Sequence, residues 1–436
     1  MISTHKVQSI FDSMQENSAY ILKSIVGHRL LETTSSSVFV FGSTRRYECL
    51  PQGDLDVVVH TPNVRQWFQV REALDAVRCR HNLDKIEIFM VNKAMPLIDI
   101  VNGQTPDAGC LDVLPVVISF EGLWIAKLLQ TCTNLYNDPH RLAIKMLSEY
   151  YFSRMYNNRS QGLDINLKYT PGGYRDILYL DLYARIFGGA NYKGVPEIRE
   201  SIGRVVHDLQ LGSEDAQMLK WAVAWVIQVK SAILDLCSGT QHRGRAPMNL
   251  ATATLLTKSR YRSVLALPSL VTPEEIVSRH LTATRTLSAT IDRLVSLSDG
   301  PLWSYLPDSD RKVANTIRGI WLGDVEAVSR ATHSIGSAAH YGILSALICT
   351  DVLDAPMLDT LARTVASQPS YVYLNRLLIK SAKTHITTIK YILDNNRISW
   401  DAAVEKRYRA LAKRRVGADG EGIQHASKAN LCVHRI

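Results

Sequence analysis

Apolar residues at helical spacing open the chain. Val7, Ile10, Phe11 and Met14, then Tyr20, Ile21 and Ile25, predict two helices within residues 4–32. The period changes at residue 38. SVFVFG, DLDVVVH, KIEIFMVN and MPLIDIV are short, largely β-branched runs closed by turn residues, the pattern of strands. VRQWFQVREALDAVRCRHNL, between the second and third runs, keeps the helical period. Strand–helix–strand–strand over residues 38–102 predicts a small mixed sheet backed by helices.

After Pro115 the strand pattern stops. Residues 119–160 and 176–258 read as helical, with Trp124, Leu128 and Leu129, and later Leu219, Trp221, Ala222, Trp225, Val226 and Val229, as core stripes. Ser213 has the chemistry of an N-cap, with Glu214 and Asp215 in the first turn. Thr272-Pro273-Glu274-Glu275 combines a capping box with proline at the first helical position. LSDGPLWSYLPDSDR, residues 297–311, is the expected linker, followed by short helices to residue 415 and a disordered tail. The expected fold is therefore α+β: a small mixed-sheet domain with its N-terminal helices (1–118), then a large all-helical region. That region divides into 119–296 and 297–415, ahead of the tail at 416–436.

Composition narrows the class. A chain of 436 residues exceeds one ordinary core, and 46% hydrophobic with 21% charged residues is globular. No apolar run reaches the length of a membrane span, and the N-terminus lacks the basic head and apolar core of a secretory signal. Seven scattered cysteines without a CxxC pair argue against a disulfide framework or zinc knuckle and for a reducing, cytoplasmic setting. Fifty Lys and Arg against 41 Asp and Glu give a net charge of +9, compatible with anionic partners. Lys406, Arg407, Arg409, Lys413, Arg414 and Arg415 form an acid-free run that reads either as a solvated helix or as a phosphate-backbone contact.

The candidate chemistry lies in VFVFGSTRRYECLPQGDLDVVV. One strand ends in Gly42-Ser43, and ten residues later a second carries Asp54-Leu55-Asp56. Alternate strand residues share a face, so the two acids are predicted to project together, about 7 Å apart along the backbone. Carboxylates so placed repel unless a cation lies between them, and hard oxygen ligands suit Mg²⁺. Gly42 allows a sharp turn, and Ser43 with the following N–H groups can hold phosphates. A third acid would complete a two-metal site and deprotonate an attacking hydroxyl. Asp99, interrupting an apolar strand, supplies one; Glu87 competes with it.

This arrangement resembles the nucleotidyltransferase superfamily of DNA polymerase β: Gly-[Gly/Ser], a spacer of about ten residues, Asp-x-[Asp/Glu], and a later strand acid. The resemblance covers residues 35–105. LDINLKYTPGGYRDILYLDLYARIFG, residues 163–188, is similar to the segment after the catalytic domain in bacterial PII-protein uridylyltransferases, where it reads N-x-K-x-x-x-G-G-L-R-D-I. Asn166, Lys168, Gly172, Gly173, Arg175, Asp176 and Ile177 match, and Tyr174 stands where leucine is usual. LGSEDAQMLKWAVAWVIQVKSAILDL is similar to the helical continuation, so the likeness extends to about residue 260. Arg46 and Glu48 match Gly-Arg-x-Glu with Arg45 in the glycine position, and Gly53 replaces the usual Ser or Thr before the first acid. The hydrolase and sensing domains of those enzymes have no counterpart: His207-Asp208 is an isolated pair and reads as a helix end.

The resemblance implies a Mg²⁺-dependent nucleotidyltransferase. Asp54, Asp56 and Asp99 would be catalytic metal ligands, and Gly42, Ser43, Arg46, Lys168 and Arg175 would bind the nucleoside triphosphate. Whether Arg175 meets the triphosphate or a structural carboxylate stays open. A protein acceptor is favoured, as in the uridylyltransferases. A terminal RNA nucleotidyltransferase of the poly(A)- or uridylyl-adding type is the alternative, and a helical interaction protein that senses nucleotide is a third reading.

Overall fold

The computed structural model describes residues 4–33, 35–45, 49–50, 53–61, 64–83, 86–90, 114–117, 138–156, 166–168, 170–188, 198–237, 248–295, 300–333, 341–350, 352–366, 374 and 378. The predicted strand around Asp99, the core positions Trp124, Leu128 and Leu129, the basic run at 406–415 and the expected tail lie outside them.

Helices α1 (Thr4–Val26) and α2 (Arg29–Thr33) lead into strand β1 (Ser37–Phe41), which passes directly into the short helix α3 (Gly42–Arg45). Then come β2 (Leu55–His60), α4 (Val64–Arg80), β3 (Ile86–Met90) and β4 (Leu114–Val117). The sheet order is β3-β2-β1-β4. β1 pairs antiparallel with β2 and β4, while β2 and β3, joined through α4, run parallel. The mixed sheet and α+β class expected from the periodicity are thus present.

Alternation decides which face is covered. Val38, Val40, Leu55, Val57 and Val59 form one face and bury against Ile21, Leu22 and Ile25 of α1, Leu31 of α2, and Val70, Ala73, Leu74 and Val77 of α4. Asp56, one residue out of phase with Leu55 and Val57, is carried by the opposite face. β4 was not expected, since LPVV is too short to show a period. Its place at the sheet edge tolerates Pro115, which has no N–H to give a further strand.

The helical region includes α5 (Pro139–Tyr151), continued by a π-helical turn (Phe152–Tyr156), α6 (Tyr174–Gly188), α7 (Ile198–Asp208), α8 (Ser213–Cys237), α9 (Leu250–Leu256), α10 (Ser259–Val264) and α11 (Pro273–Val295). α8, buried along Leu219, Ala222, Trp225, Val226, Val229 and Ile233, packs on α11 and also touches α1, so it joins the helical core to the sheet module. The capping box is realised: the Thr272 N–H donates to Glu275 Oε2 at 3.0 Å, and the Glu275 N–H to Thr272 Oγ1 at 3.2 Å. Ser213 is the first helical residue rather than the cap, because the Gly212 carbonyl accepts the first intrahelical bond, from Ala216.

The stretch expected as a linker is a packed corner. Residues Pro301–Tyr305 form α12 and Asp308–Leu322 form α13; Leu302, Trp303 and Leu306 are buried, and Trp303 Nε1 donates to the Val295 carbonyl at 2.7 Å. The turn chemistry of Gly300-Pro301 starts a helix here instead of releasing the chain. The chain divides into two compact units, Met1–Leu322 and Gly323–Ile436. The second unit contains the short helices α14 (Val325–His333), α15 (Tyr341–Cys349) and α16 (Ala355–Ala366), with Leu344, Leu347, Leu361 and Val365 buried.

Two packing features generate tests. Gly172 has φ +77° and lies so close to the Thr284 backbone that a Cβ would overlap it. Gly172→Ala combines left-handed strain with an overpacked contact and should destabilise the protein by about 2–5 kcal/mol in urea unfolding. His280 on α11 is fully buried, and neither ring nitrogen has a hydrogen-bond partner among the described residues. Burial lowers its pKa from 6.5 to about 4. The unfolded chain therefore binds the extra proton between these values, so stability is full above pH 6.5 and falls as pH drops towards 4, by roughly 3 kcal/mol. In His280→Leu, urea midpoints measured across that window should lose this component of the pH dependence.

Candidate active site

The site is built where β1 ends. Phe41 is the register partner of Asp56, and the chain then turns at Gly42 (φ +70°) into α3. The Asp56 carboxylate packs against the bare Cα of Gly42; a Cβ there would collide with Asp56 Oδ2. Ser43 follows, half-buried, and Thr44 is fully buried. Glycine is needed at position 42 twice, for the left-handed turn and for room beside the acid.

Asp54 lies just before the first residue of β2, so only Asp56 is in the strand proper; both are half-buried. The connection between Gly42 and Asp54 is tied down from α1. Ser18 Oγ accepts from the Cys49 N–H at 2.9 Å and donates to the Met14 carbonyl at 2.9 Å, while Asn17 Nδ2 donates to the Cys49 carbonyl at 3.0 Å. The Gly53 N–H then donates to the Leu50 carbonyl at 2.9 Å, closing a turn in which a Cβ would crowd Leu50 O. That crowding accounts for glycine where Ser or Thr is usual.

Cys49 reports on the local field. Burial pushes its thiol up to about 11; Asp56 and Asp54 act in the same direction, while Thr44 and Lys230 oppose them. The charges of both acids and of Lys230 on α8 are thus felt at one buried thiol. The Lys230 ammonium lies 3.4 Å from the centre of the Tyr174 ring. Neither Cys49 nor Lys230 was singled out from sequence: a lone cysteine carries no motif, and Lys230 acts on this thiol from a helix distant along the chain.

The remaining candidates separate. Glu87 is the register partner of Asp56 on the parallel neighbour β3. Asp99 and Arg46 lie outside the described residues. Lys168 is half-buried in the turn before α6, its N–H donating to Asn166 Oδ1 at 2.9 Å and its carbonyl accepting from the Arg175 N–H at 3.1 Å. Arg175 itself is drawn inward: its side chain is 7% exposed and stands 3.6 Å from Glu149, whose side chain is 1% exposed and also faces Lys145 at 3.3 Å. Of the two kinds of anion left open for Arg175, a buried carboxylate, that of Glu149, is the one beside it here.

Beside it, Arg154 grips Asp176 with two bonds of 3.1 and 2.7 Å, and Asp176 Oδ2 accepts the Gly172 N–H at 2.7 Å. Arg154 also approaches Asp292 at 3.3 Å, and the Tyr150 hydroxyl donates to Asp292 at 2.6 Å. The Gly172-Gly173 turn of the sequence motif is thus set in a buried ionic frame. His207-Asp208 ends α7 as expected, with Asp208 held by Arg204 at 2.7 Å and by the Tyr183 hydroxyl at 3.2 Å.

Two hard oxygen ligands in Asp54 and Asp56 fit a divalent cation of the Mg²⁺ kind. Among the described residues, no group of three or more His, Cys, Asp or Glu side chains gathers to hold a metal. Residues 21–101 match the family model described as the nucleotidyltransferase domain. No curated protein matches the chain. The matched segment contains the Gly42 turn and both acids, and supports nucleotidyl transfer from a nucleoside triphosphate in general terms.

Because Gly42 supports Asp56 from behind, Gly42→Ala should displace the carboxylate. Mn²⁺ titration of the variant should show affinity lower by about tenfold or more, the usual cost of disturbing a ligand's support, with the circular dichroism of the native fold retained. Unchanged Mn²⁺ affinity would show that the Gly42–Asp56 contact does not serve a metal.

Proposed function

We propose that the protein is a Mg²⁺-dependent nucleotidyltransferase that moves a nucleoside monophosphate from an NTP to a hydroxyl on a protein acceptor, in the manner of the uridylyl- and adenylyltransferases. The observation that carries the reading is the Asp56 carboxylate set on the Gly42 turn, inside the segment that matches the nucleotidyltransferase family model. The protein acceptor rests on the likeness of residues 163–188 to the uridylyltransferases.

In this reading Asp54 and Asp56 are catalytic and hold the metal. Asp99 is the third ligand and the base that takes the acceptor proton, with Glu87 its alternative by register with Asp56. Backbone N–H groups at Gly42 and Ser43 bind the phosphates, with Arg46 and Lys168 adding charge. Bound Mg²⁺ would supply Lewis acidity at the reacting phosphate and would belong to a two-metal arrangement. The acceptor oxygen forms its bond to the α-phosphorus as the bond to the bridging oxygen breaks, and pyrophosphate carries away the negative charge. The rigid β1–α3 turn keeps the phosphates and the acid pair in register during that exchange.

The test is incubation of the full chain with each labelled NTP, Mg²⁺ and a cell lysate. Label should enter protein. Label in RNA would favour the terminal RNA nucleotidyltransferase reading, and label in neither would favour nucleotide sensing. Asp54→Asn and Asp56→Asn should each reduce incorporation by about a thousandfold or more while keeping thermal stability equal or slightly higher, because a repelling acid pair is relieved. Full incorporation by either variant would remove the acid pair from catalysis.

A further inference from the structure

The two acids of the site are held by different parts of the fold. Asp56 lies inside β2, where the ladder to β1 sets it opposite Phe41 and its carboxylate rests against Gly42. Asp54 precedes Leu55, the first residue of β2, and the ladders to β1 and β3 end at Asp56 and Leu55. Sheet pairing therefore fixes one acid and leaves the other to the chain before it. Gly53, next to Asp54, has no side chain with which to hold that chain; its N–H closes a turn on the Leu50 carbonyl at 2.9 Å. Just ahead of this turn, α1 grips Cys49 at both backbone groups. Ser18 Oγ accepts the Cys49 N–H at 2.9 Å, and Asn17 Nδ2 donates to the Cys49 carbonyl at 3.0 Å. Ser18 is fully buried and its own hydroxyl proton goes to the Met14 carbonyl at 2.9 Å, which leaves the oxygen as an acceptor for Cys49.

We propose that Ser18 and Asn17 are positioning residues for metal binding: from α1 they fix the Cys49 backbone, and through the Leu50–Gly53 turn they set Asp54 beside Asp56. The inference deepens, and rests on, the nucleotidyltransferase reading of the acid pair. Chain held at a single group can pivot about that bond. Held at the N–H and the carbonyl together, the peptides on both sides of Cys49 keep one orientation, and only a closed turn separates them from Asp54. The hold matters because two like charges otherwise relax apart when no cation lies between them. A carboxylate kept in place beforehand need not be ordered when the cation binds. α1 also buries Ile21, Leu22 and Ile25 in the same core as Leu55, Val57 and Val59 of β2, so the clamp and the strand that carries Asp56 share one support.

The experiment titrates the full chain and its variants with Mn²⁺ alone, at a temperature where each keeps native circular dichroism. Ser18→Ala should weaken Mn²⁺ binding about tenfold, the lower end of the loss that follows removal of a ligand's outer support. Asn17→Leu, at the half-buried side of the clamp, removes the second bond without adding charge and should weaken binding by up to about tenfold. A double-mutant cycle separates positioning from general support of the fold. If the clamp acts through Asp54, Ser18→Ala weakens Mn²⁺ binding in the parent but has no further effect in Asp54→Asn. The same fold-loss in both backgrounds would make Ser18 a structural residue only and overturn the inference. Unchanged Mn²⁺ affinity in both Ser18→Ala and Asn17→Leu would overturn it too. In either case Mn²⁺ binding that still depends on Asp54 and Asp56 leaves the nucleotidyltransferase reading standing. A parent that binds no Mn²⁺, or binds it equally well after Asp54→Asn and after Asp56→Asn, would overturn both.

Discussion

The contact of the Asp56 carboxylate with the bare Cα of Gly42 is the constraint on which the site depends. It requires β1 to end one residue before the glycine, β2 to pair in the register that sets Phe41 opposite Asp56, and the chain to turn left-handed at position 42. A slip of one residue in that pairing would carry the acid to the face buried against α1, α2 and α4, where an ionised group is costly. The hydrophobic alternation of Leu55, Val57 and Val59 therefore fixes the chemistry of the site as well as the core of the module.

A second layer of control comes from buried polar groups. The loop before Asp54 buries Cys49 and Leu50 and is held by hydrogen bonds between Cys49 and Asn17 and Ser18 of α1. In the helical region, Arg154 with Asp176 and Asp292, and Glu149 with Lys145 and Arg175, place charge where desolvation is severe. Such pairs contribute little net stability against an apolar core, but removing one partner costs several kcal/mol, roughly 3–5. They act here as geometric specification: the Gly172 N–H points to Asp176, the turn seats on Thr284, and Tyr174 follows in one orientation.

Much of the sheet module was legible because its signals are local. Period-two runs marked β1, β2 and β3, and the glycine turn and acid pair stand within one hairpin-like stretch, so spacing alone drew them together. The Thr272–Glu275 capping box was legible for the same reason. β4 was not, because four residues including Pro115 carry no period and only pairing with β1 makes them a strand. Residues 297–311 misled because Gly and Pro mark both loops and helix starts, and burial of Trp303 decides between them. Arg175 could be read towards an anion of either kind, and only the position of Glu149 shows which anion it meets. Lys230 and Ser18 had no local signal at all, since each acts across a tertiary contact.

The central claim is that the acid pair beside the Gly42 turn holds the metal and the polyphosphate of a nucleoside triphosphate. Anomalous diffraction from crystals of the full chain grown with Mn²⁺ and a non-hydrolysable NTP tests it most directly. The account predicts an anomalous peak within coordination distance of both Asp54 and Asp56, about 2.0–2.2 Å from their oxygens as for small hard cations, with phosphate density at the Gly42–Ser43 turn. A peak elsewhere on the molecule, or nucleotide bound with neither carboxylate in contact with the metal, would contradict it.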